Sequence, residues 1–220
     1  MKTKTSIAAR LAAATMLTAV SLGAGAAAWA PPTAAVAAAD ATREFAWTGG
    51  SSLNISVPAE VHYTQGPAAP IRVSGPSHLL DRLELRNGNL RYDRRTRDGD
   101  RLDVTITLPD IRSFGLAGSQ RMTIAGYSQP EMTLSISGSA KVSVAGTTGR
   151  SRVAISGSGN VDLGRLTHES TTVSISGSGD VLTGARDAVD VSISGSGQVR
   201  LLSSPRVSAR ISGSGRVRPA

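Results

Sequence analysis

The chain contains no cysteine among its 220 residues. No disulfide can therefore cross-link the fold, no acylated cysteine can anchor it as a lipoprotein, and no thiolate can bind zinc. Histidine is nearly absent too, because only His62, His78 and His168 are present and none has a neighbouring hydrolase signature. We expect all three to be exposed polar residues, and we expect no metal, no cofactor and no catalytic residues.

Aromatic residues make up only 3% of the chain, and Tyr127 is the last of them. A surface that stacks sugar rings would therefore have to use the aromatics of the N-terminal half. We expect those side chains to belong to the core or to a cap instead. They are Phe45, Trp47, Tyr63 and Tyr92.

No long apolar run occurs after residue 39, whereas the leader, residues 1–39, contains one. Lys2, Lys4 and Arg10 precede an alanine-rich apolar stretch over Leu11–Trp29. A basic start, an apolar middle and a small-residue end are typical of a secretory signal peptide. The sequence therefore predicts a signal peptide over residues 1–39.

The small residues at the end of the leader predict cleavage after Ala37 or Ala39. Retention of the leader as a membrane anchor is the alternative, since the stretch is long enough to span a bilayer. We expect an exported protein of the periplasm, cell envelope or extracellular space. Its mature chain would be one domain over residues 40–220, with no transmembrane span.

The formal charge gives little support for nucleic-acid binding. Removal of the leader takes three basic residues and no acidic ones, which leaves 21 basic against 16 acidic residues, or +5. The densest charge cluster mixes both signs, so it is typical of a solvated loop and not of a basic patch. Its members are Asp93, Arg94, Arg95, Arg97, Asp98, Asp100 and Arg101.

The N-terminal half alternates apolar and polar residues in short segments, which predicts β-strands separated by glycine and proline turns. The clearest are Leu53–Val57, Val61–Tyr63, Ile71–Val73 and Leu102–Leu108. The sequence Asn87-Gly88-Asn89 predicts a hairpin turn between Leu83–Leu85 and Leu90–Tyr92. Only His78–Leu85 is a candidate for helix, and we expect a turn there.

A repeated phrase dominates the second half. Ile-Ser-Gly-Ser begins at Ile136, Ile155, Ile175, Ile193 and Ile211, and the related Leu-Ala-Gly-Ser begins at residue 116. The intervals are 20, 19, 20, 18 and 18 residues. A nearly constant period of this length is typical of stacked structural units.

Each repeat predicts one coil of a solenoid. In the copy that begins at Val173, alternation places Val173 and Ile175 on one face, and a glycine corner lets Val181 point into the same interior. We expect aliphatic side chains to stack on their equivalents, serine hydroxyls to form a ladder along the corner, and glycines to line the bend. The structural turn glycines are Gly118, Gly138, Gly157, Gly159, Gly177, Gly179, Gly195, Gly197, Gly213 and Gly215.

The predicted fold class is therefore all-β: a parallel β-helix-like solenoid with 18–20-residue coils, preceded by a less regular β-rich N-terminal half. The variable position after each corner does not form a calcium ladder, because only one of its six residues is acidic and three are cationic. Those residues are Arg121, Lys141, Asn160, Asp180, Gln198 and Arg216.

A carbohydrate-active enzyme, of the polysaccharide lyase or hydrolase type, is the alternative that such a scaffold raises. Its site would need clustered carboxylates on neighbouring coils. We expect the acidic residues after Phe114 to form no such cluster on neighbouring coils: Glu131, Asp162, Glu169, Asp180, Asp187 and Asp190.

Several segments together resemble the auto-transporter adhesin head GIN domain family of bacterial exported proteins, over residues 43–220. They are Val57-Pro58-Ala59-Glu60-Val61, Thr64-Gln65-Gly66, Leu79-Leu80, Asn87-Gly88-Asn89-Leu90, Ile106-Thr107-Leu108-Pro109 and the Ile-Ser-Gly-Ser-Gly-x-Val copies. The resemblance implies a β-helical fold similar to that of pectin lyases, without their catalytic residues, and an adhesive role.

These observations predict an exported, non-catalytic binding or structural module of the cell envelope. Its partner would be a glycan or a protein of the envelope or the cell surface. Self-association is a further hypothesis, because a terminal coil exposes strand edges. Pro205, Pro219, Arg216 and Arg218 would blunt that edge.

Overall fold

The structure, a computed structural model, describes residues 41–94 and 100–220. The predicted signal peptide and both cleavage positions lie outside these residues, as does the middle of the mixed charge cluster.

The elements are almost all β-strands, with one helical turn. In chain order they are β1 (Ala41–Phe45), β2 (Ser52–Ile55), β3 (Ala59–Gln65), β4 (Ile71–Gly75), α1 (Ser77–Leu80), β5 (Leu83–Arg86), β6 (Asn89–Tyr92), β7 (Leu102–Leu108), β8 (Ser113–Gly118), β9 (Arg121–Gly138), β10 (Lys141–Gly157), β11 (Asn160–Gly177), β12 (Asp180–Thr183), β13 (Ala188–Gly195), β14 (Gln198–Leu201), β15 (Arg206–Gly213) and β16 (Arg216–Pro219).

The repeats form a β-solenoid of about five turns over residues 113–219, which confirms the predicted fold class. Successive coils pair in parallel, so that Ile155 lies beside Ile136 on one side and Ile175 on the other. The same register continues to Ile193 and Ile211. The recurring isoleucines therefore form one column through the stack.

The interior is filled by these alternating aliphatic side chains. Val173, Ile175 and Val181 are each at most 2% exposed, as the repeat pattern predicts. Burial of each such side chain stabilises the fold by about 2 kcal/mol. Tyr63, Phe114 and Tyr127 widen the core near the start of the stack, with the Tyr63 and Phe114 ring centroids 5.1 Å apart.

The first glycine of each corner has a conformation that side chains avoid. Gly177 has φ of 125°, and a Cβ placed on it would lie 2.5 Å from the carbonyl oxygen of Gly157. No rotamer relieves a contact with backbone, so glycine is required. The other first glycines have φ between 113° and 129°: Gly118, Gly138, Gly157, Gly195 and Gly213.

The second glycine of the corner is crowded for a different reason. Gly179 is buried, and a Cβ on it would lie 2.9 Å from Cγ2 of Ile155. Equivalent contacts with an isoleucine Cγ2 occur at Gly159, Gly197 and Gly215. The first position of the corner therefore holds glycine because of its positive φ, and the second holds glycine because of its close approach to the core.

Backbone hydrogen bonds connect the corners, where we expected a ladder of serine hydroxyls. The N–H of Ser178 donates to the carbonyl oxygen of Gly157 at 2.9 Å, and that of Ser196 donates to Gly177 at 2.9 Å. Since backbone makes these bonds, the corner serine side chains stay exposed.

The strands of the N-terminal half belong to the same sheet as the repeats and form the first part of the stack. Strand β2 pairs in parallel with β8, and β3 pairs in parallel with both β7 and β9. Strands β4 and β1 then extend this sheet in antiparallel fashion. The sequence predicted these strands but not their continuity with the repeats.

The predicted hairpin is present and helps to close this end. Strands β5 and β6 pair antiparallel across Asn87-Gly88, both of which have positive φ, at 49° and 76°. This geometry fits a two-residue hairpin turn, which favours Asn-Gly. The expected turn at 78–85 begins instead as the short helix α1, whose Leu79 and Leu80 are buried.

Candidate functional site

A groove of about 850 Å³ crosses the outer face of the stack. It begins at Asn54, Ser56 and Asn89, and it runs across the coils to Ser192 and Ser194. Its axis therefore lies along the stacking direction, across the strands.

Two columns of small outward residues make up the surface of the groove. They flank the buried isoleucine column, because side chains alternate between the two faces of a strand. The first column holds Gly115, Ser135, Ala154, Ser174 and Ser192, and the second holds Ala117, Ser137, Ser156, Ser176 and Ser194.

The N-terminal end of the groove is amide-rich. Asn54 lies beside both Asn89 and Gly115 in the sheet. A Cβ at residue 115 would contact the side-chain oxygen of Asn54, so the amide of Asn54 lies directly over Gly115. The second column thus offers serine hydroxyls on four successive coils at intervals of about 4.8 Å, the spacing of neighbouring strands. In the first column, Ala154 interrupts the series of serines.

The walls of the groove contain no Asp, Glu, His, Lys, Arg or aromatic residue. Neither acid–base catalysis nor ring stacking can therefore be assigned to its lining residues. What they can supply is hydrogen bonding to a neutral ligand, from serine hydroxyls that donate and accept.

The acidic residues of the second half do not line this groove. The expectation that they form no cluster on neighbouring coils is wrong for Glu169 and Asp187, which are exposed and lie side by side, with the N–H of Asp187 donating to the carbonyl oxygen of Glu169 at 2.9 Å. Glu131 forms an exposed ion pair with Arg150 at 2.6 Å, and Asp162 accepts a hydrogen bond from the N–H of Gly164. In the described part of the chain no group of three or more His, Cys, Asp or Glu could hold a metal ion.

The aromatics of the N-terminal half belong to the core, as predicted. Tyr63 is 1% exposed, and its hydroxyl donates to the carbonyl oxygen of Leu108 at 2.9 Å. Burial raises the pKa of Tyr63 to about 12. Phe45, Trp47 and Tyr92 are partly buried against the same core.

The prediction that His168 is exposed is wrong. The strand β11 continues through this position instead of turning, so alternation points His168 into the coil, where it is 1% exposed. Burial lowers the pKa of its imidazole below the usual value, opposed by the hydrogen bond to Leu166. His62 and His78 are exposed, as predicted.

A chain of buried hydroxyls continues from His168 across three coils. Nδ1 of His168 lies 2.8 Å from the carbonyl oxygen of Leu166, and Nε2 lies 2.8 Å from the hydroxyl of Thr183. Thr183 is 3.2 Å from the hydroxyl of Thr171, which is 2.8 Å from that of Ser151. No strong sequence signal marks this cluster, since Ser and Thr are common throughout the repeats.

The tautomer of His168 fixes the direction of this chain. A carbonyl only accepts, so Nδ1 carries the proton and Nε2 of the neutral ring accepts from Thr183. The hydroxyl of Thr171 then donates to Thr183, and that of Ser151 donates to Thr171. Because Thr183 is fully buried, the cluster supports the coils from within and has no access to a ligand.

Among the described residues, no helix has the length and apolarity needed to cross a bilayer.

The family model described as "Putative auto-transporter adhesin, head GIN domain" matches residues 51–219. That range includes the groove, the corner glycines and the buried histidine. No curated protein matches the chain.

Solved structures of bacterial proteins are similar to this chain. One described as a putative adhesin from Bacteroides fragilis NCTC 9343 is 19% identical, covers 82% of this chain and 97% of its own, and has a TM-score of 0.64. Another described in the same words, from Parabacteroides merdae ATCC 43184, is 12% identical over 82% of this chain and 96% of its own, with a TM-score of 0.47. The first likeness shows a shared fold.

Proposed function

Because the chain belongs to the auto-transporter adhesin head GIN domain family, we propose that it is an exported, non-catalytic binding module that holds its ligand in the serine-lined groove. The ligand is a neutral polymer that bears hydroxyl or amide groups, either a glycan or an extended polypeptide. The mature domain would begin after cleavage at Ala37 or Ala39.

The regularity of the groove carries this proposal. Equivalent serines recur on neighbouring coils, as at Ser174 and Ser192 in one column and Ser156 and Ser176 in the other. A polymer laid along the second column would meet a serine hydroxyl on each of four successive coils, from Ser137 to Ser194. Many weak, equivalent contacts of this kind are suited to adhesion.

The chemistry of the lining supports binding over catalysis. A glycosidase requires two carboxyl groups about 5 to 10 Å apart across the substrate, and the groove walls bring none together. The buried His168 cluster is closed to a ligand, so it offers no alternative centre.

A bulky side chain placed in the groove tests the proposal. Ser156 lies in the groove, whereas Ser158 lies two residues further on, at the exposed corner of the same coil. We expect Ser156→Tyr to weaken retention on an immobilised polysaccharide and polypeptide panel by tenfold or more, and Ser158→Tyr to leave it unchanged. Tyrosine is well tolerated on strands, which applies to Ser156, and Ser158 is exposed at the corner, so both variants should fold.

Two results would contradict the proposal. Equal retention by both variants would place the ligand elsewhere, and release of soluble products at catalytic rates would assign an enzyme. Reducing-end assays on the same panel measure the second outcome.

A further inference from the structure

Charge is distributed unevenly along the stack. All 16 acidic residues occur at or before Asp190, and residues 40–190 contain 16 basic residues, so this part is neutral overall. The remaining 30 residues contain five arginines and no acid. The whole formal charge of +5 therefore belongs to the C-terminal coils.

The structure places all five arginines on the surface. They are Arg200 on β14, Arg206 and Arg210 on β15, and Arg216 and Arg218 on β16. Within residues 41–94 and 100–220 none of them forms a salt bridge, and Arg218 donates a hydrogen bond to the side-chain oxygen of Gln198 at 3.2 Å. The corner between β15 and β16 puts these cations on two different faces of the solenoid.

Apolar side chains are exposed among these arginines. Val207 and Ile211 continue the buried columns of Val189 and Ile193, yet they are 44% and 42% exposed. Leu202, which lies over Gly164 and Gly184 on the outer face, is 52% exposed. These are the large apolar side chains with high exposure among the described residues.

We propose that this C-terminal coil surface, formed by Leu202, Val207, Ile211 and the surrounding arginines, docks on an anionic lipid bilayer. The apolar side chains would enter the interface, and the arginines would lie among the headgroups, with their stems along the apolar boundary. The rest of the solenoid, which carries no net charge, would project from the membrane and present the groove.

The arrangement favours a flat anionic surface over other occupants. A linear polyanion would contact the arginines on one face of the solenoid, whereas these arginines lie on two faces. A second copy joined through the same surface would bring two sets of five cations together, which is repulsive. An anionic bilayer meets both the cationic rim and the exposed apolar centre.

Cosedimentation with vesicles tests the proposal, using protein recovered after export, with its N-terminus determined by mass spectrometry. The vesicles contain equal amounts of phosphatidylglycerol and phosphatidylcholine, and a second set contains phosphatidylcholine alone. We expect binding to the first set that weakens with added salt, and much weaker binding to the second.

Two charge variants provide a matched comparison. Arg216→Gln with Arg218→Gln removes two charges from the C-terminal coil surface, and Arg121→Gln with Lys141→Gln removes two from the neutral part of the stack. Arg121, Lys141 and Arg216 occupy the same repeat position. The first pair should lower the partition coefficient by about 25-fold, at about fivefold per arginine, and the second should leave it unchanged.

A third variant separates the apolar contribution. Ile211→Ser should weaken the binding that remains at high salt, with unchanged circular dichroism. The proposal is overturned by equal binding to both vesicle sets, by equal loss in the two charge pairs, or by arginine-dependent binding of dextran sulfate without vesicle binding. Arginine-dependent dimerisation in sedimentation velocity, without vesicle binding, would assign the surface to a second copy instead.

Discussion

The two ends of the stack are built in different ways. At the N-terminal end, the hairpin β5–β6, the helix α1 and the antiparallel strands β1 and β4 adjoin the core, and Leu79, Leu83 and Leu90 are each at most 1% exposed. At the C-terminal end, the equivalent inward residues of the last repeat, Val207 and Ile211, are more than 40% exposed. A repeat extends a stack, but a different sequence is needed to close it.

The closing elements rely on contacts that the repeats lack. Arg43 on β1 donates to the carbonyl oxygens of Leu80 and Leu83, at 2.7 Å and 3.1 Å, and its guanidinium lies 4.8 Å from the centre of the Phe45 ring. Gln120 stands where later coils have the second corner glycine. Its amide donates to the carbonyl oxygens of Val57 and Ala117. Each contact is specific to one place in the chain.

The corner glycines should give the largest effect. Gly177→Val should lower the free energy of unfolding by about 4 kcal/mol, because the new Cβ would contact backbone and the φ of 125° disfavours any side chain. Ser174→Val, on the exposed face of the same coil, should change it by less than about 0.5 kcal/mol. Denaturant unfolding measures both, and similar midpoints would refute the stacked-corner model.

Truncation at the two ends should differ in size. Leu90→Ala removes a fully buried side chain from the closed end and should cost about 3 kcal/mol. Ile211→Ala removes a side chain that is already 42% exposed and should cost about 1 kcal/mol. Urea titrations of the two variants give this comparison directly, and equal costs would mean that another surface covers the last coil.

Acid should destabilise the coils that contain His168. Its folded pKa lies below the usual 6.5, so the unfolded chain binds the proton more readily. Stability from this group is complete above pH 6.5 and is lost as the pH falls below it, by up to about 1.4 kcal/mol per unit. His168→Gln should remove this component from the pH dependence of unfolding, whereas the exposed His62→Gln should preserve it.

Surface ion pairs should contribute least. Arg150 on β10 pairs with Glu131 on β9, and both side chains are more than half exposed. Arg150→Gln should change the free energy of unfolding by no more than about 0.5 kcal/mol. A loss of several kcal/mol in thermal or chemical unfolding would show that charge pairing, and not the aliphatic columns, joins the coils.

The sequence predicted the repetitive half well because one local pattern determines both the fold and its register. The spacing of Ile155 and Ile175 and the corner between Val173 and Val181 are sufficient to predict the stack. The Asn87-Gly88 hairpin was predicted for a similar reason, since its turn depends on two adjacent residues.

Contacts between distant residues were less predictable. Nothing in the sequence near Leu53 or Val61 shows that they lie beside Phe114 and Met122 in the sheet. His168 was misplaced because a turn was assumed where the strand continues. The groove could not be predicted because it depends on the register of all the coils. Serines of different coils form a column only when those coils pair in the observed register.

The corners of the solenoid carry an evolutionary consequence. Each one is completed by a main-chain bond from Ser N–H to the glycine one coil earlier, as at Ser178 and Gly157. Because this bond joins main-chain atoms, it does not depend on the sequence of the preceding or following repeat. Gain or loss of about nineteen codons in the gene would therefore lengthen or shorten the solenoid by one coil. The number of repeats would then set the length of the solenoid and the length of ligand that it accommodates, while the hydrogen bonds at each corner stay the same.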